Sequence, residues 1–198
     1  MNQEKKIKRY YRFHSVIYDA TRWLFLFNRQ KALLNLNLKE GDSVIDFACG
    51  TGLNLKTILN KTKKVSAIDF SEDMLKIARN KFKEVNFIQG DACSYKFEKQ
   101  ADKIICTYSL SLIENWQEAV KNMSRNLNEN GTLVILDFHK WHGIIGVFYP
   151  LFRWWLRIHS VNSEMSLEGE LKKYFQSVEM KTYFWGYNLI AIAHRPLK

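Results

Sequence analysis

The residues in this chain best spaced for chemistry are acids that close short apolar runs. Val44-Ile45 leads into Asp46, and Phe47-Ala48-Cys49 leads into Gly50-Thr51-Gly52. A β-branched run, an acid and a Gly-x-Gly bend before a helical segment let backbone close beneath a nucleotide-like ligand at the carboxyl end of a strand. Glycine serves there because a side chain would meet the ligand and because such bends call for positive φ. Lys64 to Asp69 repeats the pattern of strand and terminal acid. Asp69 falls roughly twenty residues beyond the bend, where a carboxylate receives ribose hydroxyls. A third run, Val85 to Gln89, precedes Gly90-Asp91-Ala92, and Asp91 suits an exocyclic adenine amine. The bend lacks the further glycine near Leu55 that a dinucleotide fingerprint would carry, so a ligand without a pyrophosphate is expected.

These side chains need strands to place them and helices to cover the strands. Ser71 is the expected N-cap of a helix whose first turn holds Glu72 and Asp73, acids that favour a helix start. Asp102 to Thr107 reads as a fourth strand and Gly131 to Asp137 as a fifth. Val178 to Phe184 and Leu189 to His194 flank Trp185-Gly186-Tyr187-Asn188 and read as an antiparallel hairpin at the sheet edge. The alternation predicts a mostly parallel sheet with helices on both faces.

The chain has 198 residues, enough for one core and too few for two full domains. A single domain over 1–198 is expected: a helical cap over 1–40, a core over 41–138, an aromatic insertion over 139–165 and C-terminal strands over 166–198. Cys49, Cys93 and Cys106 are scattered in or beside strands and read as reduced residues of a cytoplasmic protein. No metal-ligand spacing occurs; His139 and His142 have no framing Cys or acid. The N-terminus is basic and aromatic without the sustained apolar core of a signal peptide.

A net charge of +10 predicts an anionic partner. Positive charge is interleaved with rings in two segments. The first runs from Lys5 to Phe27 and includes Tyr10, Tyr11, Tyr18, Arg22 and Trp23. The second runs from Trp141 to His159, with Pro150 expected at a helix start and Arg153 and Arg157 one turn apart. It is too short and interrupted to cross a bilayer, which needs about twenty apolar residues. Its apolar residues cover too wide an arc for one buried stripe, so some should be exposed. Rings beside arginine suit the headgroup level of an anionic membrane, with peripheral attachment to its inner face. Packing in the core or against a second copy would satisfy the same residues; a monomer is the simpler expectation.

Residues 41–138 resemble the class I S-adenosylmethionine-dependent methyltransferases, on Val44 to Gly52, Asp69, Asp91 and Asp102 to Ser109. The resemblance implies a Rossmann-like, doubly wound, mostly parallel seven-stranded α/β sheet with an antiparallel C-terminal hairpin. It implies S-adenosylmethionine as methyl donor and S-adenosylhomocysteine as product. Asp46, Ala48, Gly50, Thr51 and Gly52 would take the methionine part, and Asp69, Phe70, Met74, Asp91 and Ala92 the adenosine side, with Thr107 also binding the cofactor. Thr107-Tyr108-Ser109-Leu110 stands where nucleobase-methylating members carry Asn- or Asp-Pro-Pro-Tyr, which argues against a nucleic-acid substrate.

Tyr18 to Arg29 is similar to the leader of bacterial phospholipid N-methyltransferases and betaine-lipid N-methyltransferases, with Asn28 where that group has glycine. This implies a lipid amine, most simply phosphatidylethanolamine, methylated toward phosphatidylcholine. Tyr18, Tyr108 and His139 are then the candidates to accept the headgroup's proton. Tyr10, Tyr11 and Tyr18 could cage a growing quaternary ammonium, and Arg22, Lys140, Arg153 and Arg157 could hold the lipid phosphate. The Tyr-Asp pair also occurs in ubiquinone and menaquinone C-methyltransferases, which keeps a quinone precursor open as substrate. A non-catalytic S-adenosylmethionine-binding regulator is the third alternative.

Overall fold

A computed structural model describes residues 27–158 and 161–197. Seven strands form one sheet in the order β3-β2-β1-β4-β5-β7-β6. They are β1 (Val44–Phe47), β2 (Val65–Asp69), β3 (Asn86–Gln89), β4 (Ala101–Thr107), β5 (Leu127–Phe138), β6 (Phe175–Tyr183) and β7 (Asn188–Pro196). β1 pairs in parallel with β2 and β4, β2 with β3, and β4 with β5. Only β7 runs against its neighbours β5 and β6. Strand order reverses beside β1, so the carboxyl ends of β1 and β4 open the crevice where ligands bind in such sheets. The fold is the doubly wound, mostly parallel sheet with antiparallel C-terminal strands that the sequence predicts.

The helices are α1 (Arg29–Asn35), α2 (Leu55–Leu59), α3 (Glu72–Lys81), α4 (Trp116–Arg125), α5 (Tyr149–Ile158) and α6 (Leu167–Leu171). Alternation along the central strands sends successive side chains to opposite faces. Ile105 and Val134 join Leu33, Leu55 and Ile58 in one cluster under α1 and α2. Ile104 and Ile135 join Trp116, Met123 and Leu171 in the other under α4 and α6. With both faces covered, the parallel strands read as near-continuous apolar runs rather than alternating ones.

Element boundaries depart from expectation where polar residues join strands. β5 begins at Leu127, ahead of Gly131, because Leu127 pairs with Ala101 across an irregularity between Ala101 and Lys103. The C-terminal strands extend to Phe175 and Pro196, with Phe175 and Pro196 as register partners. Ser71 caps α3 as expected, its Oγ accepting the Met74 N–H at 3.4 Å. α5 starts at Tyr149, with Pro150 in the first turn where a missing N–H costs nothing. Of the expected cap over 1–40, the described part is α1. Its N-cap Asn28 has φ +63, a conformation that favours glycine and, after it, asparagine.

Candidate active site

Backbone conformation builds the first βα bend. Ala48, Gly50 and Gly52 all take left-handed φ, at 53°, 56° and 81°. The two glycines are needed for different reasons. A Cβ at Gly52 would lie 2.8 Å from Leu55 Cδ1 and 3.1 Å from the Phe82 ring, so Gly52 lets α2 and α3 close up. A Cβ at Gly50 would meet nothing within 4 Å, so open space lies above the bend. Ser109 Oγ lies 3.2 Å from the Ala48 carbonyl and 3.0 Å from that of Thr107, tying the bend to the end of β4.

Beneath the bend sits a polar trio in which Asp46 and Asn54 are buried and Thr107 is partly buried. Asn54 Nδ2 donates to Asp46 Oδ1 at 3.0 Å and to Thr107 Oγ1 at 3.1 Å. Asp46 is fully buried, and burial pushes its pKa up to about 7; the Asn54 bond and the Arg29 charge pull against that, and Asp69 adds to it. Asp46 Oδ2 and Asn54 Oδ1 are buried without hydrogen-bond partners. Two buried acceptors lacking donors at the crevice fit a cationic donor group such as an α-ammonium. Asn54 and Arg29 were not found by sequence reading. A polar residue two places past Gly52, amid apolar neighbours, was the available signal for Asn54.

Asp69 closes β2. Its Oδ2 accepts the Gly50 N–H at 2.7 Å and its Oδ1 the Ser71 N–H at 2.8 Å. Burial raises its pKa while these backbone bonds lower it. Each oxygen keeps a further lone pair, which is what two ribose hydroxyls require. Asp91, at the end of β3, is exposed and accepts the Cys93 N–H at 2.8 Å through Oδ1. Phe70 is exposed beside Asp69, Met74 is buried under the α3 start, and the Ala92 carbonyl accepts the Asn122 amide at 2.9 Å. Thr51 is buried. The carboxyl ends of β1 to β4 thus gather the residues named for the methionine and adenosine parts.

The other end of the sheet is aromatic. Tyr108 has φ +52 and is buried. Its hydroxyl donates to the Phe27 carbonyl and accepts Asn188 Nδ2 at 3.0 Å. Asn188, fully buried, in turn accepts Asn28 Nδ2 at 3.0 Å. Burial also drives its phenol above the ordinary range, so the hydroxyl stays protonated and its proton is already engaged by the Phe27 carbonyl. The same chain of bonds explains Asn28: its backbone takes the conformation glycine would supply, and its side chain gains a partner that glycine lacks.

His139 leaves the end of β5 half-buried, its backbone N–H donating to the Tyr187 carbonyl at 3.2 Å. Burial, with the charges of His142 and Lys140, lowers its pKa, so its imidazole is neutral at neutral pH and able to accept a proton. Lys140 and Arg157 are exposed. Arg153 pairs with Glu164 at 2.9 Å through one guanidinium nitrogen, and its Nε is buried without a hydrogen-bond partner. Trp141 stacks on Phe152 at 4.2 Å, and Tyr187 contacts Phe27, Phe138 and Phe152. Tyr10, Tyr11, Tyr18 and Arg22 lie outside the described residues. Among the described residues no group of His, Cys, Asp or Glu is arranged to hold a metal ion, and no helix is long and apolar enough to cross a membrane.

Known proteins resemble the chain in sequence and fold. Residues 44–131 match the family model of a methyltransferase domain. An uncharacterized methyltransferase of Schizosaccharomyces pombe is 31% identical over 139 residues, 62% of this chain and 48% of that one. A demethylmenaquinone methyltransferase of Staphylococcus saprophyticus is 29% identical over 116 residues, 55% of this chain and 50% of that one. The chain therefore spans about half the length of the curated relatives it matches. Among solved structures, phosphoethanolamine N-methyltransferase 2 of Haemonchus contortus, bound to phosphomonomethylethanolamine and S-adenosylhomocysteine, superposes with a TM-score of 0.79 at 17% identity. That match covers 100% of this chain and 61% of the other. Residues 44–131 thus match a methyltransferase domain, and the chain shares the fold of this solved methyltransferase.

Proposed function

We propose that this chain is an S-adenosylmethionine-dependent methyltransferase acting on a lipid amine at a membrane surface, most simply phosphatidylethanolamine on the way to phosphatidylcholine. The observation that carries the reading is half-buried His139, two residues before Trp141, whose ring stacks on Phe152 of a helix with an exposed, aromatic outer side. When bound, S-adenosylmethionine supplies a methyl group on a positively charged sulfur, with S-adenosylhomocysteine as product.

The chain's own residues bind, orient and deprotonate. Asp46 Oδ2 and Asn54 Oδ1 receive the ammonium of the methionine part. Asp69 takes the ribose and Asp91 the adenine amine. An ethanolamine headgroup is mostly protonated at neutral pH, so His139 accepts its proton. Lys140 and Arg157, both exposed, attract the lipid phosphate. Aromatic packing by Phe138, Trp141 and Tyr187 limits water near His139. The solved phosphoethanolamine N-methyltransferase, bound to phosphomonomethylethanolamine, supports the amine acceptor. The demethylmenaquinone methyltransferase relative supports a second reading, C-methylation of a quinone precursor.

One assay separates the readings. Pure protein, labelled S-adenosylmethionine and detergent-dispersed lipid are combined. Label in phosphatidylethanolamine products is expected, and His139→Gln should lower kcat about a hundredfold with little change in S-adenosylhomocysteine affinity. Because the His139 pKa lies below its ordinary value, activity should persist below pH 6.5 before the acid limb begins. Label only in a demethylated quinone would favour the second reading. Donor binding without transfer to either acceptor would favour a regulator.

A further inference from the structure

Among the described residues, most exposed large apolar side chains gather on two neighbouring elements. The first is α5 with the turn before it. At about 100° per residue, Leu151, Trp154, Trp155 and Ile158 fall within an arc of roughly 100°, and they are 68%, 62%, 39% and 58% exposed. Leu156 and Tyr149 on the opposite side are buried, so the helix is apolar both inward and outward. Exposed Arg157 stands at one margin of the outward arc.

The second element is the turn between β6 and β7. Phe184 and Trp185 are 54% and 58% exposed. Both take left-handed φ, 52° and 51°, which bulky side chains seldom adopt. Phe184 touches Phe27 at 5.6 Å between ring centroids, yet Phe184 and Trp185 stay more than half exposed on a backbone they disfavour, and such an outlier points toward function. The turn is seated firmly. His142 N–H donates to the Trp185 carbonyl at 2.8 Å, and a Cβ at Gly186 would collide with the Lys140 carbonyl. A Cβ at Gly143 would lie 3.3 Å from the Trp185 ring, which puts the turn against the segment leading into α5.

We infer that Phe184 and Trp185 form a second membrane-inserting prong beside α5, and that the two together dock the chain on an anionic lipid bilayer. The inference rests on the membrane-surface reading above. Charge complementarity selects this occupant over a second copy of the chain. Arg157 and Lys140 border the apolar residues, and the whole chain carries a charge of +10, which repels a like copy and attracts anionic headgroups. Rings flanked by basic residues suit the headgroup boundary. The same turn also holds the candidate base, since the Trp185 and Tyr187 carbonyls accept the His142 and His139 N–H groups. Docking therefore engages the strand pair that fixes His139.

The test uses the full chain and its Phe184→Asn/Trp185→Asn variant, because asparagine tolerates left-handed φ. Sedimentation with vesicles of phosphatidylethanolamine and phosphatidylglycerol should give a partition coefficient at least about tenfold lower for the variant, with S-adenosylhomocysteine affinity within about twofold as the check on folding. Trp185→Phe, which keeps an apolar ring, should bind vesicles normally yet lose part of the fluorescence quenching by brominated acyl chains. Equal vesicle binding by the double variant and the parent overturns the inference. So does a double variant that only converts a dimer to a monomer. A parent that ignores anionic vesicles overturns it too, while methyl transfer to detergent-dispersed phosphatidylethanolamine would leave the acceptor reading standing.

Discussion

At the first βα bend the left-handed residues are Ala48, Gly50 and Gly52; at the β6–β7 turn they are Phe184, Trp185 and Gly186. The first set is small throughout, so its backbone reaches the needed conformation at little cost and leaves the space above Gly50 open. The second set asks two bulky residues to do what glycine does, and contacts from residues 140–143 hold them there. One region is shaped by residue choice, the other by partners. A bend that must receive a nucleoside is best formed in advance, whereas a turn that displays rings must keep them whatever the backbone prefers.

The glycines offer the strongest way to break that comparison. Gly186→Ala puts a methyl group into the fixed Lys140 carbonyl, and stability should fall by about 3 kcal/mol or more, read as a melting temperature lower by about 10 °C. Gly52→Ala meets the movable end of Leu55 and should cost about 2 kcal/mol. Gly50→Ala should cost only about 1 kcal/mol yet weaken S-adenosylhomocysteine binding about tenfold or more by calorimetry, because its methyl enters the open space. If Gly50→Ala lost stability as Gly186→Ala does while binding normally, the ligand-receiving role of the first bend would be wrong.

Asn188→Ala removes the residue that links Asn28 to Tyr108 and should cost about 2 kcal/mol, since it strands buried polar groups. Chemical denaturation measures it, and the loss should leave S-adenosylhomocysteine affinity within about threefold. A comparable loss of affinity would show the two regions to be coupled.

A pH titration sharpens the contrast further. Asp46, with a folded pKa of about 7 against 3.8, binds more protons folded than unfolded between those values. Its contribution therefore favours the fold below about pH 4 and is lost as pH rises toward about 7. Asp46→Asn should flatten that slope in the ligand-free protein. His139 works in the opposite sense: its lowered folded pKa makes its share of stability fall as pH drops below about 6.5. The smallest effect expected is at the tip itself, where Trp185→Asn should raise stability by about 0.5 kcal/mol as the backbone preference is met.

The donor side was legible because its requirements are local. Asp46, Gly50, Gly52 and Asp69 lie within one β-α-β segment, and the Asp69 carboxylate bonds the Gly50 N–H that the spacing brings to it. The N-cap of α3 was readable for the same reason, Ser71 and Met74 being three residues apart. What escaped depends on distance along the chain. Asn188 meets Asn28 across a separation of 160 residues, and Tyr108 meets Phe27 across 81. No pattern in either segment announces such a partner, so Tyr108 read as a free phenol near the sheet edge. The place of Arg153 on the helix was foreseeable, whereas its partner Glu164, beyond the helix end, was not.

The place of β7, inserted between β5 and β6, bears on the order in which the two halves become competent. A ribosome delivers the strands from β1 to β5 before it delivers the residues of the hairpin. The nucleoside crevice lies wholly within that earlier stretch, whereas the backbone anchor of His139 is the Tyr187 carbonyl. On the proposed function, a nascent polypeptide acquires the donor crevice while His139 is still untethered, and transfer waits for the final hairpin to pair with β5. Ribosome-stalled chains ending before residue 187 should retain S-adenosylhomocysteine and transfer no methyl group.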